Sequence, residues 1–164
     1  MDSGADATRL AAGLVLSDRA ARGEYEDRSG PVLRRFLETW GFRLATVAVE
    51  ADDPQRLLAR LEEWRAAGAA LVLTSGGTGI GPRDRTPETL RAWADRDVPG
   101  FGEWMRAESA RHTVTGWLSR GGAWLKDRML VVALPGSPKA LEELLPGLEP
   151  IVRHALSMLE GQGH

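Results

Sequence analysis

The chain of 164 residues contains no cysteine. Disulfides, thiolate metal sites and cysteine nucleophiles are therefore excluded. Histidine is scarce: the three, His112, His154 and His164, share no short spacing of the kind a zinc site needs. Charge of one sign is not in surplus. The formal net charge is −2, with Asp and Glu interleaved among the arginines, so no basic field favours nucleic acid. The six tryptophans are scattered, mostly at core spacings. No apolar run approaches the length that spans a bilayer. Met1–Arg9 is polar and acidic, lacks the apolar stretch of a signal peptide and reads as a loose tail. No repeat, low-complexity block or linker interrupts the rest, so residues 10–160 are expected to form one domain, with 161–164 as a second tail. These features fit a cytoplasmic protein.

What is present alternates between strand-like and helix-like segments. Leu10–Leu16 is an apolar strand ending in Ser17-Asp18-Arg19 and a polar loop. Ser29-Gly30-Pro31 starts a helix with Val32, Leu33, Phe36, Leu37 and Trp40 at helical spacing, Trp40 belonging to the core. Phe42–Val49 is a second strand, and Pro54 opens a helix whose buried stripe is Leu57, Leu58, Leu61 and Trp64. Leu71, Val72 and Leu73 show no polar alternation, as in a strand buried on both faces. A helix is predicted from Pro87 to about Arg96, then a break over Asp97–Glu103 and a short helix with Trp104 and Met105. Thr113–Ser119 and Gly122–Lys126 read as short strand-like pieces, Met129–Leu134 as a buried strand, and Lys139–Leu145 and Pro150–Leu159 as two closing helices. The alternation predicts an α/β fold: a three-layer α/β/α sandwich with a mostly parallel mixed sheet and a small antiparallel element.

The densest chemistry lies in Ala70–Pro87. After the apolar run come Thr74-Ser75, then Gly76, Gly77, Thr78, Gly79 and Gly81, then Asp84 between Arg83 and Arg85, with Thr86-Pro87 as a helix start. A turn of this kind lets backbone N–H groups converge on an anion. It is not a lysine-bearing phosphate loop, because Pro82 follows Gly81. The dinucleotide pattern also fails, Asp84 or Pro82 standing where a third glycine is required. In a parallel sheet the carboxyl ends of strands share one edge, so four strand-end groups should converge: Ser17/Asp18, Asp52/Asp53, Ser75–Asp84, and Pro135-Gly136-Ser137-Pro138-Lys139. Capping of the next helix could account for one of Asp52 and Asp53 and need not account for both. Arg83, Arg85 and Lys139 can neutralise phosphate, while Asp52 and Asp84 are hard oxygen donors suited to Mg²⁺. Phosphoryl or nucleotidyl transfer is the chemistry such a set serves.

The stretches T-S-G-G-T-G-I-G-P-R-D-R-T-P-E, P-G-F-G-E and L-P-G-S-P-K-A, with the earlier V-L-S-D-R-A-A-R-G-E-Y-E-D-R-S-G, resemble the MogA/MoaB family of molybdenum cofactor biosynthesis over Leu10–Leu159. The resemblance implies a molybdopterin-binding-like fold and molybdopterin adenylyltransferase activity, in which the terminal phosphate of molybdopterin attacks the α-phosphorus of Mg-ATP and pyrophosphate leaves. It implies Mg²⁺, with ATP as co-substrate. Its two essential aspartates fall on Asp84 and on Asp52, with Asp53 as the fallback because Ala51 stands where the family has proline. Ser17, Asp18, Thr74, Ser75, Gly76, Gly77, Thr78, Gly79, Arg83, Gly102, Glu103, Pro135, Gly136, Ser137, Pro138 and Lys139 carry over as substrate or nucleotide contacts. A homotrimer, or in some members a hexamer, and a downstream metal-insertion partner are also implied, with no nucleic acid or membrane partner. The segment Ser119–Arg128 is only loosely similar. A catalytically inactive pterin-binding or carrier module of the same fold is the alternative.

Overall fold

The computed structural model describes residues 8–162. The expected tails at 1–7 and 163–164 lie outside the described residues. Arg9, assigned to the tail by sequence, is instead 9% exposed and hydrogen-bonded to Glu160. The elements in order are β1 (Leu10–Leu16), α1 (Asp18–Ala21), α2 (Ser29–Thr39), β2 (Arg43–Glu50), α3 (Pro54–Ala66), β3 (Leu71–Ser75), α4 (Thr86–Trp93), β4 (Arg96–Asp97), α5 (Pro99–His112), a 3₁₀ turn (Val114–Leu118), β5 (Gly122–Lys126), β6 (Met129–Leu134) and α6 (Pro138–Leu159).

One six-stranded sheet in the order β2-β1-β3-β6-β5-β4 runs through the molecule. β2, β1, β3 and β6 are parallel, while β5 and β4 add an antiparallel edge. Side chains alternate across the pleat. Leu71, Leu73, Leu130 and Val132 pack with α2, α5 and α6 through Leu33, Met105 and Leu144. Val72, Met129 and Val131 pack on the other face against α3 and α4 through Leu57, Leu61 and Leu90. The expected three-layer α/β/α sandwich with a mostly parallel mixed sheet is present.

Four local readings differ. The helix from Pro87 ends at Trp93 rather than Arg96, and Arg96–Asp97 pairs with Trp124 and Leu125 of β5. The break predicted over 97–103 is largely the first turn of α5, because Pro99 occupies a first-turn position where no N–H is needed. Thr113–Ser119 is not strand-like: the segment closes on itself in i→i+3 turns such as Gly116 N–H to Thr113 O at 2.9 Å, while the place beside β5 is taken by Arg96–Asp97. The two closing helices are one, α6, whose stripe of Leu141, Leu144, Leu145, Leu148, Val152 and Leu156 is unbroken while Pro146 and Pro150 lie on its exposed side.

Candidate functional site

The carboxyl ends of β2, β1, β3 and β6 are tied by short contacts. Ser17 N–H donates to Glu50 O (2.9 Å) and Gly76 N–H to Leu134 O (3.1 Å). The Ser75 hydroxyl donates to Pro135 O at 2.8 Å, and that of buried Ser29 to Gly136 O at 2.9 Å. Asp27 fixes Ser29 by accepting its N–H and that of Gly30, at 3.0 and 2.9 Å. Gly76 and Gly77 have φ of 109° and 72°. Any side chain at Gly76 would place its Cβ 2.3 Å from Leu16 O, so the turn requires glycine there for both space and backbone.

Three strand ends meet at the acids. Arg83 donates to both carboxylate oxygens of Asp18, at 2.8 and 3.1 Å, and to Asp52 O at 3.3 Å. Asp18 also accepts Asp52 N–H at 3.0 Å. The Arg83 hydrogen bond, aided by that N–H, holds the Asp18 carboxyl below its usual range. Asp52 is the reverse: burial, with the charges of Asp18 and Asp84, pushes it up to about 6. No hydrogen bond to the Asp52 carboxylate is present among the described residues, and its Oδ1 faces Gly77. Asp53 is committed elsewhere, capping α3 by accepting from Gln55 and Arg56 N–H at 2.8 and 3.2 Å. Of the two neighbours, Asp52 is therefore the one turned to the site.

Asp84 accepts Gly81 N–H at 2.8 Å, and its carboxylate lies against Gly79. It lines a cavity of about 720 Å³ with Pro54, Gly81, Arg85, Thr89 and Arg120. Gly102 and Glu103, on α5, line a second cavity of about 440 Å³ with Arg91, Arg106 and Trp117, and Arg120 stands in the wall of both. The structure thus brings Ser17, Asp18, Asp52, Ser75–Gly79, Arg83, Asp84 and Pro135-Gly136 to one edge, and sets Gly102/Glu103 across Arg120 from Asp84.

Several predicted contacts have other duties. Thr74 is 0% exposed, and its buried hydroxyl has no hydrogen-bond partner among the described residues. Ser75 is equally buried and spends its hydroxyl on Pro135. The Thr86 hydroxyl donates to Gly76 O at 3.2 Å rather than capping α4. Ser17 caps α1 through Ala20 N–H, and Ser137 caps α6 through Ala140 N–H, with Pro138 in the first turn. Lys139 stands in solvent, 86% exposed, 3.9 Å from Glu143. Arg120 and Ser29 were missed. An arginine before Gly121-Gly122, in the segment of weakest resemblance, was the one trace Arg120 left in the sequence.

Fold and site define an α/β protein with a glycine turn and paired carboxylates gathered at the carboxyl edge of a mostly parallel sheet. The chain belongs to the family described as "Probable molybdopterin binding domain", which matches residues 12–154. It is 41% identical over 162 residues to a molybdenum cofactor biosynthesis bifunctional protein of Synechococcus elongatus, covering 99% of this chain and 51% of that one. With 48% of a Chlorobaculum tepidum counterpart covered, the chain spans about half the length of these relatives. It is 42% identical to a Haemophilus influenzae molybdopterin adenylyltransferase, covering 85% of this chain and 73% of that one. The crystal structure of the molybdopterin biosynthesis enzyme MoaB of Thermus thermophilus superposes with a TM-score of 0.86 at 40% identity, covering 94% and 98% of the two chains.

Proposed function

We propose that this chain is a molybdopterin adenylyltransferase. The observation that carries the reading is the convergence of Asp52, Asp84 and the Gly76–Gly79 turn on one sheet edge, in a chain whose relatives include proteins of that name. In the reaction, a terminal phosphate oxygen of molybdopterin bonds to the α-phosphorus of ATP. The bond from that phosphorus to the bridging oxygen breaks, and pyrophosphate leaves with the electron pair. The attacking phosphate is already anionic, so the protein's work is placement and charge stabilisation.

The donor chemistry fits Mg²⁺. Asp52 and Asp84 offer hard oxygens, and burial with the charges of Asp18 and Asp84 raises the Asp52 carboxyl, a cost that a bound cation would offset. No cluster of three or more His, Asp or Glu with metal-holding geometry is present among the described residues, and Mg²⁺ commonly takes one or two carboxylates with substrate phosphates. When bound, the ion would neutralise charge on the phosphates. The turn amides from Gly77 to Gly79 would bind phosphate oxygens, the Gly76 N–H being held by Leu134 O, and Arg83 is placed to exchange Asp18 for a phosphate as substrate arrives. A cytoplasmic homotrimer that hands its product to a metal-insertion protein completes the proposal.

Pyrophosphate release from molybdopterin and ATP is the test. The wild type should produce it, and Asp84→Asn should lower kcat by roughly 10²-fold or more with the fold retained by circular dichroism. Pterin binding without pyrophosphate, unaffected by Asp84→Asn, would establish the carrier module instead.

A further inference from the structure

We propose that Arg120 is a positioning residue, clasping the loop that carries Asp84 and tying it to the cavity lined by Gly102 and Arg106. The clasp is made of backbone contacts. Arg120 donates from Nε to Gly79 O at 2.8 Å and from Nη2 to Asp84 O at 2.7 Å. Its own N–H donates to Thr78 O at 2.8 Å. Its Nη1 pairs with Glu88 on α4, and this pairing holds the Glu88 carboxyl below its usual range. One guanidinium therefore grips both ends of the segment Gly79–Asp84 and fastens it to the helix that follows. A glycine-rich segment has little stiffness of its own, so the orientation of Asp84 depends on such external bonds.

The anchor of Arg120 is itself held from the other side. Arg106 on α5 donates from Nη1 to Gly121 O at 3.1 Å and to Ser119 O at 3.4 Å, the carbonyls flanking Arg120 in sequence. A continuous chain of contacts thus runs from α5 through Ser119–Gly121 to the backbone of Asp84. Arg106, Trp117 and Arg120 line the second cavity, so a ligand seated there presses on the same segment that sets Asp84. The guanidinium of Arg120 has the planar, many-donor geometry to span two carbonyls and a carboxylate, and a lysine ammonium cannot reach all three.

The kinetic consequence rests on the adenylyltransferase reading, while the consequence for loop order does not. The amides of Gly81, Asp84 and Thr86 are hydrogen-bonded within the loop, to Asp84 Oδ2, Gly81 O and Gly77 O. Hydrogen–deuterium exchange on the full chain reads them directly. In Arg120→Met, exchange at these three amides should rise about tenfold while β1 amides keep the wild-type rate. Pyrophosphate release should lose about 10²-fold in kcat, with KM for ATP little changed. Arg120→Lys should recover part of both, and Arg106→Met should loosen the same amides more weakly. Unchanged exchange at the three amides overturns the proposal. So does equal acceleration in β1, which marks loss of fold, or a loosened loop with wild-type kcat. If the wild type itself releases no pyrophosphate, the adenylyltransferase reading fails, and the exchange pattern alone decides whether Arg120 orders the loop.

Discussion

At Asp52 a half-buried carboxylate faces Asp18, Asp84 and Asp53 with the Arg83 charge as its partial relief. Its pKa near 6 lies above the ordinary 3.8, so the neutral acid is the form the fold prefers. Above pH 6 the native state carries the ionised form at a cost that the unfolded chain does not share. As pH falls from about 6 toward 4, the native state binds a proton first and the cost disappears. Asp52→Asn should therefore be more stable than wild type near pH 8 in chelator, the gap closing toward pH 4 in thermal melts. Adding Mg²⁺ near pH 8 should raise the wild-type melting temperature and leave that of Asp52→Asn unmoved. Gly76 carries the opposite kind of constraint. Gly76→Ala forces a Cβ to 2.3 Å from Leu16 O at a φ of 109°, and chemical denaturation should show a loss of about 1–3 kcal/mol. Both residues stood out in sequence because a glycine turn beside carboxylates is dense in meaning. Thr74 is fully buried, which its place beside the turn does not reveal, since sequence adjacency cannot show which face of a strand a hydroxyl takes. Arg120 was illegible for a related reason: the partners of its guanidinium, two carbonyls and the Glu88 carboxylate, lie 32 to 41 positions away.

Elements were legible where burial was two-sided or a cap was explicit. β1 and β6 have the bounds their apolar runs predict, and α3 starts at Pro54 with Asp53 as cap. Proline does not end the helix in α6. Pro146 and Pro150 lie on the outer side of α6, where a missing backbone donor leaves carbonyls open to water, while the leucine stripe keeps the helix in one piece. The start of α6 matters more than its proline content, because it aims Pro135–Ser137 at the glycine turn. Ser137 accepts Ala140 N–H at 3.3 Å, and Ser137→Ala should cost about 1 kcal/mol in urea denaturation. The hydroxyl accepts that N–H and keeps its own proton to donate, so pyrophosphate release by the same variant tells a cap alone, with the wild-type rate, from a cap that also contacts substrate, with a lowered one.

For the whole molecule, the convergence of strand ends could be inferred from a parallel sheet, but the order β2-β1-β3-β6 could not, because strand order is set by crossovers that leave no local trace. The same holds for the contact between the two ends of the described chain. Arg9, just before β1, donates from Nε and Nη2 to both oxygens of Glu160, at 2.9 and 2.7 Å, across a separation of 151 residues. Arg9 is nearly buried and Glu160 is 38% exposed, so solvent screens the pair in part and its contribution is about 1 kcal/mol. The Arg9 hydrogen bond lowers the Glu160 carboxyl below its usual 4.5. The stabilisation is thus complete above the unfolded value and is lost as pH falls through the lowered one. Glu160→Gln should melt earlier than wild type at neutral pH, and the difference should shrink once the pH drops below about 4. A gap in melting temperature that stays constant down to low pH would mean that side-chain packing at this end, rather than the charged clasp, secures the start of β1 to the end of α6.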